Sequence, residues 1–152
     1  MAEYEHQQRL GCSVEAVFDF LSRPANQLRL SQPESRLTFL DPPEVISAGD
    51  ELEFEVRAYG TTQSIVHEIV TLERPRLIVE RMVHGPLEEL EHEHVFESRE
   101  GLTVLIDRVR FKPPGGMIGL LLTEARLRKS FDESFAYRRR VLEQLVAEGE
   151  LQ

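Results

Sequence analysis

The chain has a single cysteine, Cys12, and no tryptophan among its 152 residues. With one cysteine, neither an intrachain disulfide nor a structural cysteine-based zinc site can form, and we expect Cys12 to be a small buried hydrophobe. The longest unbroken apolar run, Gly115 to Leu122, is far shorter than the ~20 residues that span a bilayer. The first ten residues also lack the apolar core of a secretory signal. We therefore expect a cytoplasmic protein without membrane insertion.

Positive charge is scarce as well. Lys and Arg number 18 against 27 Asp and Glu, and the formal net charge is −9. Because nucleic-acid binding needs clustered Lys and Arg, we expect no nucleic-acid partner. No phosphate-binding loop, nucleophile elbow or activated cysteine is present, and we expect no cofactor. The length predicts one domain, residues 1–152, that buries ~68–70% of its unfolded surface.

The amino-terminal part predicts a strand and two short helices. Glu3 to Leu10 is typical of a polar strand, and Ser13 is a suitable N-cap for a helix from Val14 to Leu21. A proline fits the first turn of a helix, so Pro24 predicts a second helix that ends near Leu30.

Alternating apolar and polar residues then predict a run of antiparallel strands. The pattern is clearest from Glu51 to Ala58, where every second side chain is apolar. Gly and Pro residues between the segments indicate turns. The remaining predicted strands are Thr62 to Leu72, Leu77 to Val83, Glu88 to Glu97 and Leu102 to Phe111.

The carboxy-terminal part predicts one long helix. From Met117 to about Glu148 there is no proline and only one glycine, and apolar residues recur at helical spacing. Roughly thirty residues would give a helix of ~45 Å. On this helix we expect Arg138, Arg139 and Arg140 to form a solvated face. The elements together predict an α+β domain in which an antiparallel sheet of six or seven strands curves around the helix.

This order of elements, together with four passages, resembles the START-like (SRPBCC) superfamily, and within it the polyketide cyclase/dehydrase-like group. The resemblance covers nearly the whole chain and implies a helix-grip fold with a cavity between sheet and helix. Relatives bind lipids, polyketides or plant hormones, which implies a small hydrophobic ligand here. The passages are VEAVFDFLSRPANQLRL with Pro33; Gly85-Pro86 with His92, His94 and Phe96; Thr103, Asp107, Val109 and Phe111; and PPGGMIG followed by SFDESFAYRRRVLEQL.

The last two strands bring the polar candidates together. A four-residue loop from Ser98 to Gly101 would place His92 opposite Asp107 and His94 opposite Leu105. These side chains would then share the face that looks toward the helix, since the other face is densely charged. Buried polar groups need partners, so His92 and Asp107 are expected to satisfy each other.

Four roles remain open for this group. The pair could be purely structural, it could orient a ligand, or Asp107 could set the tautomer of His92 for acid–base chemistry. A metal site made of His92, His94 and Asp107 is the fourth alternative, although we expect no metal.

A neighbouring strand adds one charged candidate, because one of Glu80 and Arg81 must point inward. A four-residue loop that pairs Val83 with Glu88 favours Arg81. The predicted apolar wall consists of Phe54, Val56, Phe96, Val109, Phe111, Leu120, Leu121, Leu127, Phe131 and Phe135. The predicted ligand contacts are Phe54, Arg81, His92, His94, Phe96, Asp107, Val109 and Phe131.

Three functions are compatible with these features. The first is binding of a small apolar or aromatic molecule, such as a lipid- or polyketide-like metabolite, in the cavity. The second is a cyclase- or dehydratase-type enzyme with His92 and Asp107 as its acid–base pair. The third is a protein-binding module with a vestigial cavity and an acidic docking face.

Overall fold

The computed structural model describes all residues, Met1–Gln152. Seven antiparallel strands form one sheet in the order β1-β7-β6-β5-β4-β3-β2. Six of them were predicted; the short β2 was not, because three residues are too few for alternation to be recognised. The strands are β1 (Ala2–Leu10), β2 (Thr38–Leu40), β3 (Glu51–Ala58), β4 (Thr61–Glu73), β5 (Leu77–His84), β6 (Glu89–Arg99) and β7 (Leu102–Lys112).

Two short helices follow β1, as predicted. Helix α1 (Val14–Leu21) begins at Ser13, whose side-chain oxygen accepts a hydrogen bond from the backbone N–H of Ala16. Helix α2 (Pro24–Leu30) has its proline in the first turn, where no intrahelical N–H bond is lost. None of the helices combines the length and apolar character needed to cross a membrane.

The prediction of one helix from Met117 to Glu148 is wrong, because the helix is interrupted at Leu122 and Thr123. A single turn, α3 (Ile118–Leu121), precedes helix α4 (Glu124–Ala147) of 24 residues. Thr123 is extended, with φ −75° and ψ 160°, and its hydroxyl accepts the N–H of Arg126. This N-cap starts α4, which at 1.5 Å per residue is ~36 Å long.

Helix α4 lies against the sheet and joins two apolar clusters. Its carboxy-terminal half packs Leu142 and Leu145 into the larger cluster, which contains α1 and Leu105 of β7. Its amino-terminal half packs Leu127 and Phe135 against Val109 and Phe111 of β7 in the smaller one. The predicted α+β architecture is therefore confirmed, and a buried polar group interrupts the apolar core between the two clusters.

Candidate functional site

The turn between β6 and β7 determines which residues face each other. Glu100 and Gly101 both have positive φ, 52° and 78°, which is the geometry of a two-residue type I′ turn. His94 therefore pairs with Asp107, and His92 pairs with Val109. The predicted pairs, His92 with Asp107 and His94 with Leu105, are wrong by two residues. A slip of two keeps every side chain on its predicted face.

Both histidines reach Asp107 in spite of this shift. Nε2 of His92 lies 2.8 Å from Oδ1 of Asp107, and Nδ1 of His94 lies 3.0 Å from the same oxygen. The two imidazole rings stack with their centroids 3.8 Å apart. Asp107 is fully buried, so its carboxylate can interact only with protein groups.

Arg138 of α4 completes the surroundings of Asp107. Its Nη2 forms an ion pair with Oδ2 of Asp107, and its guanidinium lies 4.8 Å from the ring centroid of Phe135. The expectation that Arg138 belongs to a solvated face is wrong, since only 6% of the residue is exposed. Its spacing of three from Phe135 and four from Leu142 puts it in the buried stripe of the helix.

Glu80, and not Arg81, faces this site from β5. Glu80 pairs with His92, whereas Arg81 pairs with Glu91 on the opposite face and binds Glu68 at 3.2 Å. About half of the Arg81 side chain is exposed. The prediction of an inward Arg81 is wrong because the assumed pairing is off by one residue, which exchanges the two faces of a strand.

The Glu80 carboxylate bridges two imidazoles. Its Oε1 lies 3.0 Å from Nδ1 of His67, and its Oε2 lies 3.5 Å from Nε2 of His94. His67 was not among the predicted site residues. Alternation with the buried Ile65 and Ile69 places it on the inward face of β4, opposite Leu52, so the sequence pattern could have identified it.

Opposite charges balance within this polar cluster, which we define as Glu80, His92, His94, Asp107 and Arg138. Burial alone would raise the pKa of Asp107, but the Arg138 guanidinium and hydrogen bonds with the two histidines hold it well below its usual range. Burial would likewise raise the pKa of Glu80, and contacts with His67 and His94 keep it low. Both carboxyl groups are therefore ionised at neutral pH.

The two stacked histidines carry different charges. Burial would lower the pKa of His94, yet Asp107 and Glu80 on either side raise it to about 9. For His92, burial and the neighbouring positive His94 lower the pKa, and Asp107 does not compensate for them. At neutral pH His94 is thus a cation that balances a carboxylate, and His92 is a neutral imidazole.

Two pockets adjoin the cluster directly, and a larger apolar one lies next to them; the smallest, of about 120 Å³, is lined by Glu80 and His94. A polar pocket of about 370 Å³ is lined by Glu80, His92, His94 and Arg138 together with residues of α2, the segment after it and α4. A larger pocket of about 530 Å³ is lined by eleven hydrophobic residues among its fifteen, and Val56 belongs to both. The apolar pocket is lined by Val56, Ala58, Tyr59, Thr61, Gln63, Ile65, Met82, Pro86, Leu87, Met117, Ile118, Leu121, Leu122, Leu127 and Ser130.

The predicted wall residues are divided between pocket and core. Phe54 and Phe131 line the polar pocket, and their contact with a ligand stays a prediction. Phe96 packs edge-on against Phe18, and Val109 lies in the smaller apolar cluster, so both are core residues. Leu120 is 81% exposed, and its predicted place in the wall is wrong.

A possible metal-ligand set exists within the cluster. Glu80, His92 and His94 each place one ligand atom within 4.8 Å of the others. The sequence analysis considered His92, His94 and Asp107 instead. In the structure the Asp107 carboxylate forms an ion pair with Arg138, and Glu80 takes its place in the set. Two imidazoles and a carboxylate suit a divalent transition metal. Each of these three groups already contacts another protein side chain, and a cation would have to displace those contacts.

Comparison with known proteins supports the fold. No protein-family model matches the chain, and no curated protein matches its sequence. A protein from Arthrobacter aurescens is 16% identical with a TM-score of 0.72, and covers 93% of this chain and 86% of its own. Major latex-like protein 151 from Panax ginseng is 8% identical with a TM-score of 0.71, over 95% of this chain and 97% of its own.

A third similar structure is the di-domain ARO/CYC protein StfQ of the steffimycin biosynthetic pathway. It is 13% identical with a TM-score of 0.73, over 97% of this chain and 51% of StfQ, so this chain spans about half the length of that protein. At such identities the likeness shows the fold alone. The chain therefore shares with these structures a fold in which an antiparallel sheet packs against a long carboxy-terminal helix.

Proposed function

We propose that the protein binds a small apolar or aromatic molecule, of lipid or polyketide type, between the sheet and helix α4. The observation that carries this proposal is the pair of pockets. The apolar pocket of about 530 Å³ falls within the ~300–1,000 Å³ typical of ligand sites, and the polar pocket holds a few convergent polar groups. An apolar body in the first pocket and a polar end in the second would fill both.

The pockets also bear on the protein-binding alternative. That alternative supposes a cavity filled by side chains, whereas these two pockets measure about 530 and 370 Å³. A concave pocket lined mostly by apolar side chains is the form that small-molecule sites take. It therefore supports a binding module for a small molecule.

Binding of the neutral fluorescent probe N-phenyl-1-naphthylamine tests the proposal. Ala58 lines the apolar pocket, and Ala58→Trp would place an indole in the space that the probe occupies. We expect at least tenfold weaker binding for this variant. Arg57→Trp is the matched control, because the neighbouring side chain points to solvent and the chain has no other tryptophan.

Equal affinity for both tryptophan variants would contradict the proposed location, and no binding to the unaltered protein would contradict the proposal itself. If the probe binds as expected, native mass spectrometry of the protein purified from its source would identify the natural ligand. We expect a mass increment of one small molecule per chain, absent from Ala58→Trp.

One observation favours a catalytic alternative of cyclase or dehydratase type. His92 is neutral and held by Asp107 at 2.8 Å, which is the arrangement of a general base with an orienting carboxylate. In that case His92→Ala would abolish conversion of a linear poly-β-ketone analogue while binding persists. Mass spectrometry of the products distinguishes this outcome from a loss of affinity alone.

A further inference from the structure

The charged groups of the polar pocket are already paired with one another. The Arg138 guanidinium lies against the Asp107 carboxylate, and the His94 ring lies between the Asp107 and Glu80 carboxylates. A ligand carboxylate in this pocket would therefore be a third anion beside Asp107 and Glu80, although Nε of Arg138 remains a buried donor without a partner. An unpaired buried charge is strongly unfavourable.

His92 presents an unpaired acceptor to the same pocket. The hydrogen bond to the ionised Asp107 requires that Nε2 carry the ring proton, since a carboxylate only accepts. Nδ1 is then left as the acceptor of the ring, and no protein group donates to it. The residue lines the polar pocket with about a sixth of its side chain exposed.

Most donors around the pocket are already engaged. The side chains of Gln27, Ser31 and Ser35 donate to backbone carbonyls, and Ser134 donates to the Gln32 amide oxygen. Their oxygen atoms remain able to accept. The Gln32 amide nitrogen is the neutral donor that remains for a ligand carbonyl or ether oxygen.

We propose that the polar pocket selects an uncharged ligand with a hydroxyl group, such as a phenol or enol, over the corresponding carboxylate, and that Nδ1 of His92 accepts the hydroxyl proton. This inference rests on the proposed function and specifies the ligand class of the same site. The hydroxyl end lies in the polar pocket, and the apolar body lies in the larger pocket beyond Val56.

Three naphthalene probes of the same shape test the selection. They are 2-naphthol with a hydroxyl donor, 2-methoxynaphthalene without a donor, and 2-naphthoate with a negative charge. We expect 2-naphthol to bind about tenfold more tightly than 2-methoxynaphthalene, as one hydrogen bond provides. We expect 2-naphthoate to bind the most weakly. Fluorescence titration at pH 7 gives all three dissociation constants.

Two variants identify the acceptor. His92→Phe keeps a ring but removes Nδ1, so we expect equal affinities for 2-naphthol and 2-methoxynaphthalene. The affinity for 2-methoxynaphthalene itself should change less than twofold. His84→Phe is the matched control, because His84 is exposed at the end of β5 and should leave all three affinities unchanged.

The outcomes separate this inference from the function on which it rests. If none of the probes binds, the proposed function fails. If all bind and 2-naphthoate binds as tightly as 2-naphthol, or if His92→Phe keeps the preference for 2-naphthol, the selection proposed here is wrong and the binding function stands. The three affinities of the unaltered protein decide the charge selection even if His92→Phe does not fold.

Discussion

Asp107 shows how one buried side chain can organise a site. It interacts with three groups from two other elements: His92, His94 and Arg138. A buried carboxylate needs such compensation, and the same compensation fixes the orientation of both imidazoles. Stability and ligand recognition therefore depend on the same contacts.

Removal of the Arg138 guanidinium should destabilise the fold strongly. In Arg138→Met the aliphatic packing is retained, but Asp107 loses its arginine partner in the core. We expect the free energy of unfolding to fall by ~3–5 kcal/mol, as when one partner of a buried ion pair is removed. Denaturant titration measures it. Arg140→Met, on the exposed face of the same helix, should change it by less than ~0.5 kcal/mol.

An equal loss for both variants would show that the ion pair with Asp107 is not the cause. A double variant, Arg138→Met with Asp107→Leu, sharpens the test, since it removes both charges together. It should recover part of the loss, because two paired charges can be replaced by apolar groups at little cost.

The raised pKa of His94 predicts that stability falls with rising pH. The folded protein holds the His94 proton, between Asp107 and Glu80, up to a pKa of about 9, whereas an unfolded histidine releases it near 6.5. This contribution is complete below pH 6.5 and is lost as the pH rises through 9. His92 is stacked on the His94 ring but has a lowered pKa, so it does not take up the positive charge that His94 loses.

We expect the free energy of unfolding to decrease by ~3 kcal/mol between pH 6.5 and pH 9.5. Denaturant titrations across this range measure the slope, and His94→Gln should remove it. A slope that persists in His94→Gln would assign the effect to another group. On the acid side, the lowered pKa values of Asp107 and Glu80 predict a second loss of stability below pH 4.

The start of helix α4 depends on one side chain. The Thr123 hydroxyl accepts the Arg126 N–H, and Thr123→Ala would leave that N–H without its cap. We expect a loss of about 1 kcal/mol in the free energy of unfolding. Thr123→Ser keeps the hydroxyl and should stay within ~0.5 kcal/mol of the unaltered protein. If serine and alanine destabilise equally, the cap is not the cause.

The β6–β7 turn offers a stabilising substitution. Glu100 has a φ of 52°, which non-glycine residues adopt at some cost, and asparagine is favoured at this position of a type I′ turn. Glu100→Asn should raise the free energy of unfolding by ~0.5 kcal/mol. Gly101→Ala, at φ 78°, should lower it by about 1 kcal/mol. A loss of stability in Glu100→Asn would contradict this account of the turn.

The boundaries of helices and strands could be predicted where the periodicity is long and regular. The register in which neighbouring strands pair could not. Alternation located β3 and β7 and the caps located α1, because those patterns depend on neighbouring residues alone. The pairing of His94 with Asp107 depends instead on two backbone angles in the turn. The bulge between β4 and β5 leaves Val83 without a partner, and no residue type marks it.

At the scale of the molecule, the polar cluster was predicted only in part. His92, His94 and Asp107 were assigned to one inward face correctly, because alternation determines faces even when register is wrong. Arg138 was missed because an arginine on a helix is usually exposed. Arg138 is buried because α4 packs over the sheet at this point. The ion pair with Asp107 of β7 compensates for the burial of its charge.

Ligand binding should stabilise the whole fold by a calculable amount. A ligand that binds only the folded state adds RT ln(1 + [L]/Kd), or about 2.7 kcal/mol at a concentration a hundredfold above Kd. If Ala58→Trp weakens 2-naphthol binding tenfold, the same concentration adds only about 1.4 kcal/mol. Arg57→Trp should keep the full 2.7 kcal/mol. Denaturant titrations with and without 2-naphthol measure all three. Equal stabilisation of the two tryptophan variants would place the ligand outside the apolar pocket that Ala58 lines.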